Sequence, residues 1–274
     1  MKRSAALLTA LILLLIAPWA RALEVFAGSA ATAPLKGVIA DYEALTGDKV
    51  ELHTGGSGAM LSQIELTGRG DLYIAGSPDF MDLAVKRDLV DPGSEARPAY
   101  LVPAICVPKG NPRKIRTLAD LARPGLKVAI GRPDTVCVGL YGIETLEKAG
   151  VAASVKPNIA VHAESCEKVA QLLSMGLVDA VLGWDVFAKW DPQHIEALPP
   201  EPGAVPRIAY IAGAVVKNSH DIVNSLRFLE LMVSEQGQEH FRTEGYHTDI
   251  EAARKAAGTA APAGGRYEIP KGWR

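Results

Sequence analysis

Val50-Glu51-Leu52-His53-Thr54-Gly55-Gly56-Ser57-Gly58-Ala59-Met60-Leu61 decides the fold. Residues 50–53 read as a short strand, Gly55, Gly56 and Gly58 mark a tight loop around Ser57, and Leu61 and Ile64 fall on one face of a helix. A strand that passes through glycines into a helix is the unit of a parallel α/β sheet. The same unit stands upstream. Residues 24–27 read as a strand, Gly28-Ser29 turns, and Leu35, Val38, Ile39, Tyr42 and Leu45 keep a helical period until Gly47 stops it. Downstream, residues 71–75 read as a third strand.

Farther out lies a longer apolar run, 99–107, closed by Pro108-Lys109-Gly110-Asn111-Pro112. The rhythm then restarts, with strands at 127–130, 158–161 and 180–182 and helices near 138–149, 166–175 and 185–189. A stretch holding Pro199, Pro200, Pro202, Gly203 and Pro206 leads to a second long apolar run, 208–216, and to helices near 222–234 and 235–243. The tail from Gly258, rich in Gly, Ala and Pro, is expected to pack loosely. Two long runs that bracket a central α/β segment predict a chain that crosses between lobes and returns. Lobe one is expected over 23–103 plus 213–274 and lobe two over 104–212. Each is a mostly parallel sheet flanked by helices, with a ligand cleft between them beyond the carboxyl ends of the strands.

The length of 274 residues suits two lobes, and 48% hydrophobic with 22% charged residues is a globular composition. A formal charge of -2 argues against a basic nucleic-acid binder, and three cysteines are too few for a disulfide scaffold. Lys2 and Arg3 precede an apolar run at 5–17, in which Thr9 is the one polar residue, and Ala20-Arg21-Ala22 follows. This is the pattern of a signal peptide over residues 1–22. The run is shorter than the roughly 20 residues a membrane span needs. Cleavage removes three basic residues and leaves a net charge of about −5. The expected location is the periplasm, where thiols meet oxidising conditions.

Four loops end strands and open helices: Gly28-Ser29-Ala30, Gly55-Gly56-Ser57-Gly58, Thr135-Val136-Cys137-Val138-Gly139 and Glu164-Ser165-Cys166. Unpaired N–H groups at helix starts hold anions without Lys or Arg, and none of the four loops contains either. Neutral donors suit a fully ionised tetrahedral oxyanion, because an acid that must offer a proton needs an acceptor.

Several stretches carry a resemblance to the periplasmic molybdate-binding proteins of ABC importers, which have the class II solute-binding fold. They are 25–30 (VFAGSA), 55–60 (GGSGAM), 70–77 (GDLYIAGS), 130–136 (IGRPDTV), 138–141 (VGLY) and 176–181 (GLVDAV), with a late segment from Phe228-Leu229 to Gly245-Tyr246. The resemblance implies a monomeric, non-enzymatic receptor without cofactor, which binds a small inorganic anion, molybdate or tungstate foremost, and partners an ABC importer permease. In that family two hydroxyl residues of lobe one, two backbone amides of lobe two and a tyrosine hydroxyl hold the anion. The first hydroxyl position falls on Ala30, with Ser29 one place earlier, and the second on Ser57. The amides fall on Val138 and Cys166, and the tyrosine on Trp184, whose indole offers one N–H. Cys137 stands where the family usually has proline, and Cys166 where it usually has an aliphatic residue.

Cys106, inside the first apolar run, reads as a small buried hydrophobe. Cys137 and Cys166 both begin helices on the expected cleft wall, where a thiol is acidified, and their sulfurs are expected within reach of one another. Three readings stay open. The pair is a disulfide or two buried thiols; or it binds a soft species such as copper(I), zinc or a trivalent metalloid, completed by His53 and Met60; or it serves a thiol enzyme, with Cys137 as nucleophile and Cys166 as resolving thiol. No H-E-x-x-H, G-x-S-x-G or Walker loop is present.

Overall fold

The computed structural model describes residues 22–273, Thr259 excepted. The expected signal peptide therefore lies outside the described residues, Ala22 apart.

Two five-stranded mixed sheets carry the chain. The first has the order β2-β1-β3-β10-β4, built from β1 (Leu23–Gly28), β2 (Val50–Gly55), β3 (Leu72–Ala75), β4 (Ala96–Leu101) and β10 (Ala209–Val215). The second has the order β7-β6-β8-β5-β9, from β5 (Pro103–Pro108), β6 (Val128–Gly131), β7 (Ile159–Ala163), β8 (Ala180–Trp184) and β9 (Ile195–Leu198). In the first sheet β1 pairs in parallel with β2 and β3, and β10 is antiparallel to β3 and β4. In the second, β6 pairs in parallel with β7 and β8, and β5 is antiparallel to β8 and β9. Each antiparallel strand directly follows a crossing from the other sheet.

The helices follow from the pattern that predicts them. Helix α1 (Thr32–Thr46) buries Leu35, Val38 and Tyr42 and ends at Gly47, whose φ of 77° suits glycine and whose amide bonds the Glu43 carbonyl. Helix α2 (Ser57–Thr67) opens directly after Gly56, and α3 (Pro78–Lys86) after Ser77, with Pro78 in its first turn, where the missing N–H costs nothing. On the second sheet α4 (Cys137–Lys148), α5 (Ala152–Val155), α6 (Cys166–Ser174) and the single turn α7 (Phe187–Trp190) follow. Helices α8 (Ile222–Val233), α9 (Glu235–Thr243) and α10 (Ile250–Ala257) return to the first.

Four features differ from the sequence reading. The run 99–107 is two strands in two different sheets, divided at Val102 alone. It reads as one because both strands are interior, and hydropathy does not register a change of sheet. The second crossing precedes Ala209 rather than falling at 213, since all of β10 pairs with the first sheet. Strand β9 and helices α3, α5 and α10 went unread, β9 being a short sheet edge and α10 carrying many charges. The tail is packed. Ile208 donates to the Pro262 carbonyl at 2.8 Å, Gly264 donates back to the Ile208 carbonyl at 2.9 Å, and the Tyr267 hydroxyl donates to Glu147 at 2.7 Å. These are bonds that composition does not reveal.

One apolar core runs from the first sheet (Val25, Leu72, Ile74) into the inner side of the second (Cys106, Ala129, Val181, Trp184). A second core lies on the other face of the second sheet, around Ile105, Val128, Ile130 and Leu182. No helix among the described residues is long and apolar enough to cross a membrane.

Candidate functional site

The carboxyl ends of β1, β2, β3, β6 and β7 converge where the two sheets face each other. Four helices and one 3-10 turn start there, and the backbones of the two lobes touch. The Gly58 amide donates to the Thr135 carbonyl at 2.8 Å. A Cβ placed on Gly56 lies 2.8 Å from both the Glu164 and Thr135 carbonyl oxygens. Glycine is required at this position by close approach rather than by backbone angle, because its φ is −62°.

Inside this contact the side chains are buried and uncharged. The Ser29 hydroxyl accepts from the Cys166 amide at 2.9 Å, a bond from the second lobe to the first. The Ser57 hydroxyl accepts from the Gly76 amide at 3.1 Å, and the Tyr73 hydroxyl donates to the Ser57 carbonyl at 2.9 Å. The sulfurs of Cys137 and Cys166 lie 3.5 Å apart as free thiols. A Cβ added to Gly76 meets the Cys137 sulfur at 2.9 Å, the Ala30 methyl at 3.0 Å and the Ser57 hydroxyl at 3.3 Å, so only glycine permits this close packing. Trp184 is fully buried, its ring edge-on to Tyr141 with centroids 5.2 Å apart, and its indole N–H lies close to both thiols without forming a well-aligned hydrogen bond.

The thiols differ in acidity. Burial pushes Cys137 well above the ordinary thiol value, and its hydrogen bond to Cys166 adds to the rise. Burial also opposes ionisation of Cys166, but the Cys137 thiol, the Val138 amide, the Trp184 indole and Ser29 outweigh it and bring Cys166 below the ordinary value. Cys166 is thus the more acidic of the two thiols, within a ring of donors that an anion would also find. Cys106 is a different case: buried, with its thiol facing the Trp184 carbonyl at 3.5 Å, it is pushed far up by desolvation.

The structure brings together six of the seven residues singled out from sequence: Ser29, Ser57, Cys137, Val138, Cys166 and Trp184. Ala30 adds only its methyl beside Gly76, and its carbonyl accepts from the Tyr246 hydroxyl. His53 and Met60 do not join the cysteines. His53 stacks on Phe26 and faces Glu24 at 3.4 Å, while Met60 packs over Gly55. Among the described residues no group of three or more His, Cys, Asp or Glu is placed to hold a metal ion. The sequence reading missed Gly76, Tyr73 and Ser77, a fully buried helix-capping serine whose hydroxyl has no partner. The signal was available, since Gly76-Ser77-Pro78 ends β3 as Gly28-Ser29 ends β1.

A groove of about 500 Å³ lined by Arg132, Lys156, His162 and Trp273 lies on the second lobe and contains none of these residues.

Two sheets joined by crossing strands, with helix starts facing across a cleft, define a two-lobed solute receptor. The chain belongs to the bacterial extracellular solute-binding protein family, whose model matches residues 23–247. That places it among the substrate-binding proteins of ABC transporters, outside the cytoplasm. A protein of Haemophilus influenzae that carries only a generic binding-protein name is 27% identical over 238 residues, 87% of this chain and 96% of that one. Molybdate-binding protein ModA of Escherichia coli is 24% identical over 143 residues, 50% of this chain and 56% of ModA. Among solved structures, the periplasmic molybdate-binding protein of Azotobacter vinelandii superposes with a TM-score of 0.72 at 17% identity, over 82% of this chain and 98% of its own. The sulfate-binding protein SubI of Mycobacterium tuberculosis gives 0.73 at 17% identity, over 89% and 93%.

Proposed function

We propose that this chain is a periplasmic receptor that captures a tetrahedral oxyanion, molybdate or tungstate first, between its lobes and delivers it as a monomer to an ABC importer permease. The observation that carries the reading is the unpartnered indole N–H of Trp184, fully buried beside the Cys137 and Cys166 thiols. The Ser29 and Ser57 hydroxyls each already accept from an amide, which leaves the O–H to donate. A buried donor without an acceptor is costly, and an oxyanion supplies acceptors on all sides. The absence of Lys and Arg from the four loops fits recognition by dipoles at helix starts. The similarity to molybdate-binding relatives supports the choice of anion, and the charged and apolar leader pattern supports export. In this reading Val138 offers an amide, the Cys166 amide positions the Ser29 hydroxyl, and Ala30 shapes the wall.

Thermal shift under reducing conditions tests it. Molybdate and tungstate are expected to raise the melting temperature, since a ligand at a hundredfold excess over Kd stabilises by about 2.7 kcal/mol. No shift with molybdate, tungstate or sulfate removes the reading. A second reading, a soft species bound by Cys137 and Cys166, is favoured by the 3.5 Å separation of their sulfurs.

A further inference from the structure

We propose that Cys137 and Cys166 form a covalent chelating site for a trivalent metalloid oxyacid, of which arsenous acid is the probe. The proposal rests on the reading that the lobes close on small inorganic oxo species, and it deepens the soft-ligand reading of the thiols. The geometry selects the class. If both sulfurs bond a common atom at about 2.3 Å, as thiolates do to zinc, their present separation subtends roughly 100° at that atom. That is the bent angle of a pyramidal trivalent centre. A linear two-coordinate cuprous ion sets its sulfurs about 4.6 Å apart on the same bond length. A structural zinc requires four ligands, and no third His, Cys, Asp or Glu joins the pair among the described residues.

The chemistry balances without an electron donor or acceptor. Two thiols and M(OH)3 give (RS)2M–OH and two waters. Two S–M bonds form, two M–O bonds break, and the two thiol protons leave on the departing hydroxides. The acidified Cys166 provides the first nucleophile. The remaining M–OH oxygen meets the unpartnered indole N–H of Trp184 and the hydroxyls of Ser29 and Ser57. The indole lies beside both thiols, and its unpartnered N–H also points to a ligand oxygen. Gly76 lets the backbone approach the Cys137 sulfur, where a Cβ would lie at 2.9 Å.

Arsenous acid is titrated into the reduced, exported chain carrying Cys106→Ser, so that only the pair counts as thiol. Native mass spectrometry is expected to show one adduct per chain, with the mass of the acid less two waters, and thiol titration to show both groups protected. Cys137→Ser or Cys166→Ser is expected to weaken the adduct by about a hundredfold or more, the gain lost when a second bond no longer closes intramolecularly. No adduct on the reduced chain, or an adduct undiminished in either variant, overturns the proposal. Molybdate calorimetry on the same samples separates the two claims. Molybdate binding without an arsenous adduct sinks the dithiol site alone, whereas silence from both sinks the receptor reading with it.

Discussion

Ser57 and Trp184 carry the residue-scale consequences. The Ser57 hydroxyl holds the Gly76 amide and keeps its own proton free. Ser57→Ala is expected to cost about 1–3 kcal/mol of oxyanion affinity, as loss of a hydrogen bond to a charged group does, read by calorimetry. It should also lower the melting temperature, because the Gly76 amide loses its acceptor. Trp184→Phe keeps a ring against Tyr141 but deletes the N–H together with part of the buried indole ring. Oxyanion affinity is expected to fall by about 1.5–3 kcal/mol, and the ligand-free melting temperature to fall as well, because the smaller ring leaves a cavity. A drop in stability with unchanged affinity would mean that the indole serves packing alone.

At the scale of elements, Arg207 ties three segments together. It lies just ahead of β10, and its Nε donates to Glu144 on α4 at 2.7 Å while its guanidinium meets Asp79 in the first turn of α3 at 2.9 Å. The same group lies over the Tyr141 ring, 4.2 Å from its centroid, and bonds the Gly265 carbonyl of the tail. Burial raises the Glu144 carboxyl, and Arg207 opposes that rise. Arg207→Met leaves two carboxylates without their cation. The expected loss is about 3–5 kcal/mol of unfolding free energy, measured by urea denaturation, because an uncompensated buried charge costs more than a formed pair returns. A loss within experimental error would show that the tail and helices hold the lobes without this cluster.

Closure belongs to the whole molecule. Gly56→Ala places a methyl 2.8 Å from two carbonyl oxygens of the other lobe, neither of which can swing away as a side chain does. The backbone angle is ordinary, so circular dichroism should not change. The lobes should stand farther apart by small-angle scattering, and oxyanion affinity should fall. His247 and Asp185 join the lobes a second time, at 2.7 Å. The bond to Asp185 raises the imidazole above its usual value, against desolvation. A raised folded-state value means that the pair stabilises fully below about pH 6.5, the ordinary histidine value, and fades as pH rises through the higher one. Unfolding free energy is therefore expected to decline from pH 6 toward alkaline pH, with a smaller slope in His247→Gln. Equal slopes would remove the pair from the pH response.

Strand-to-helix units at Gly28, Gly55 and Gly131 were legible because period-2 and period-3.6 hydropathy are local properties of the chain. So were the stops at Gly47 and the loop serines. The sequence by itself therefore determined the α/β class, and it singled out six residues that the structure brings together. Tertiary structure alone decided that 99–107 belongs to two sheets, because adjacent buried strands look alike until their pairing partners are known. It decided that His53 turns to Glu24 rather than to the thiols, and that a tail of Gly, Ala and Pro is held by backbone bonds. It also brought Cys137 and Cys166, 29 residues apart, to 3.5 Å. Pairings of this kind depend on how two lobes close, and no local pattern of residues encodes that distance.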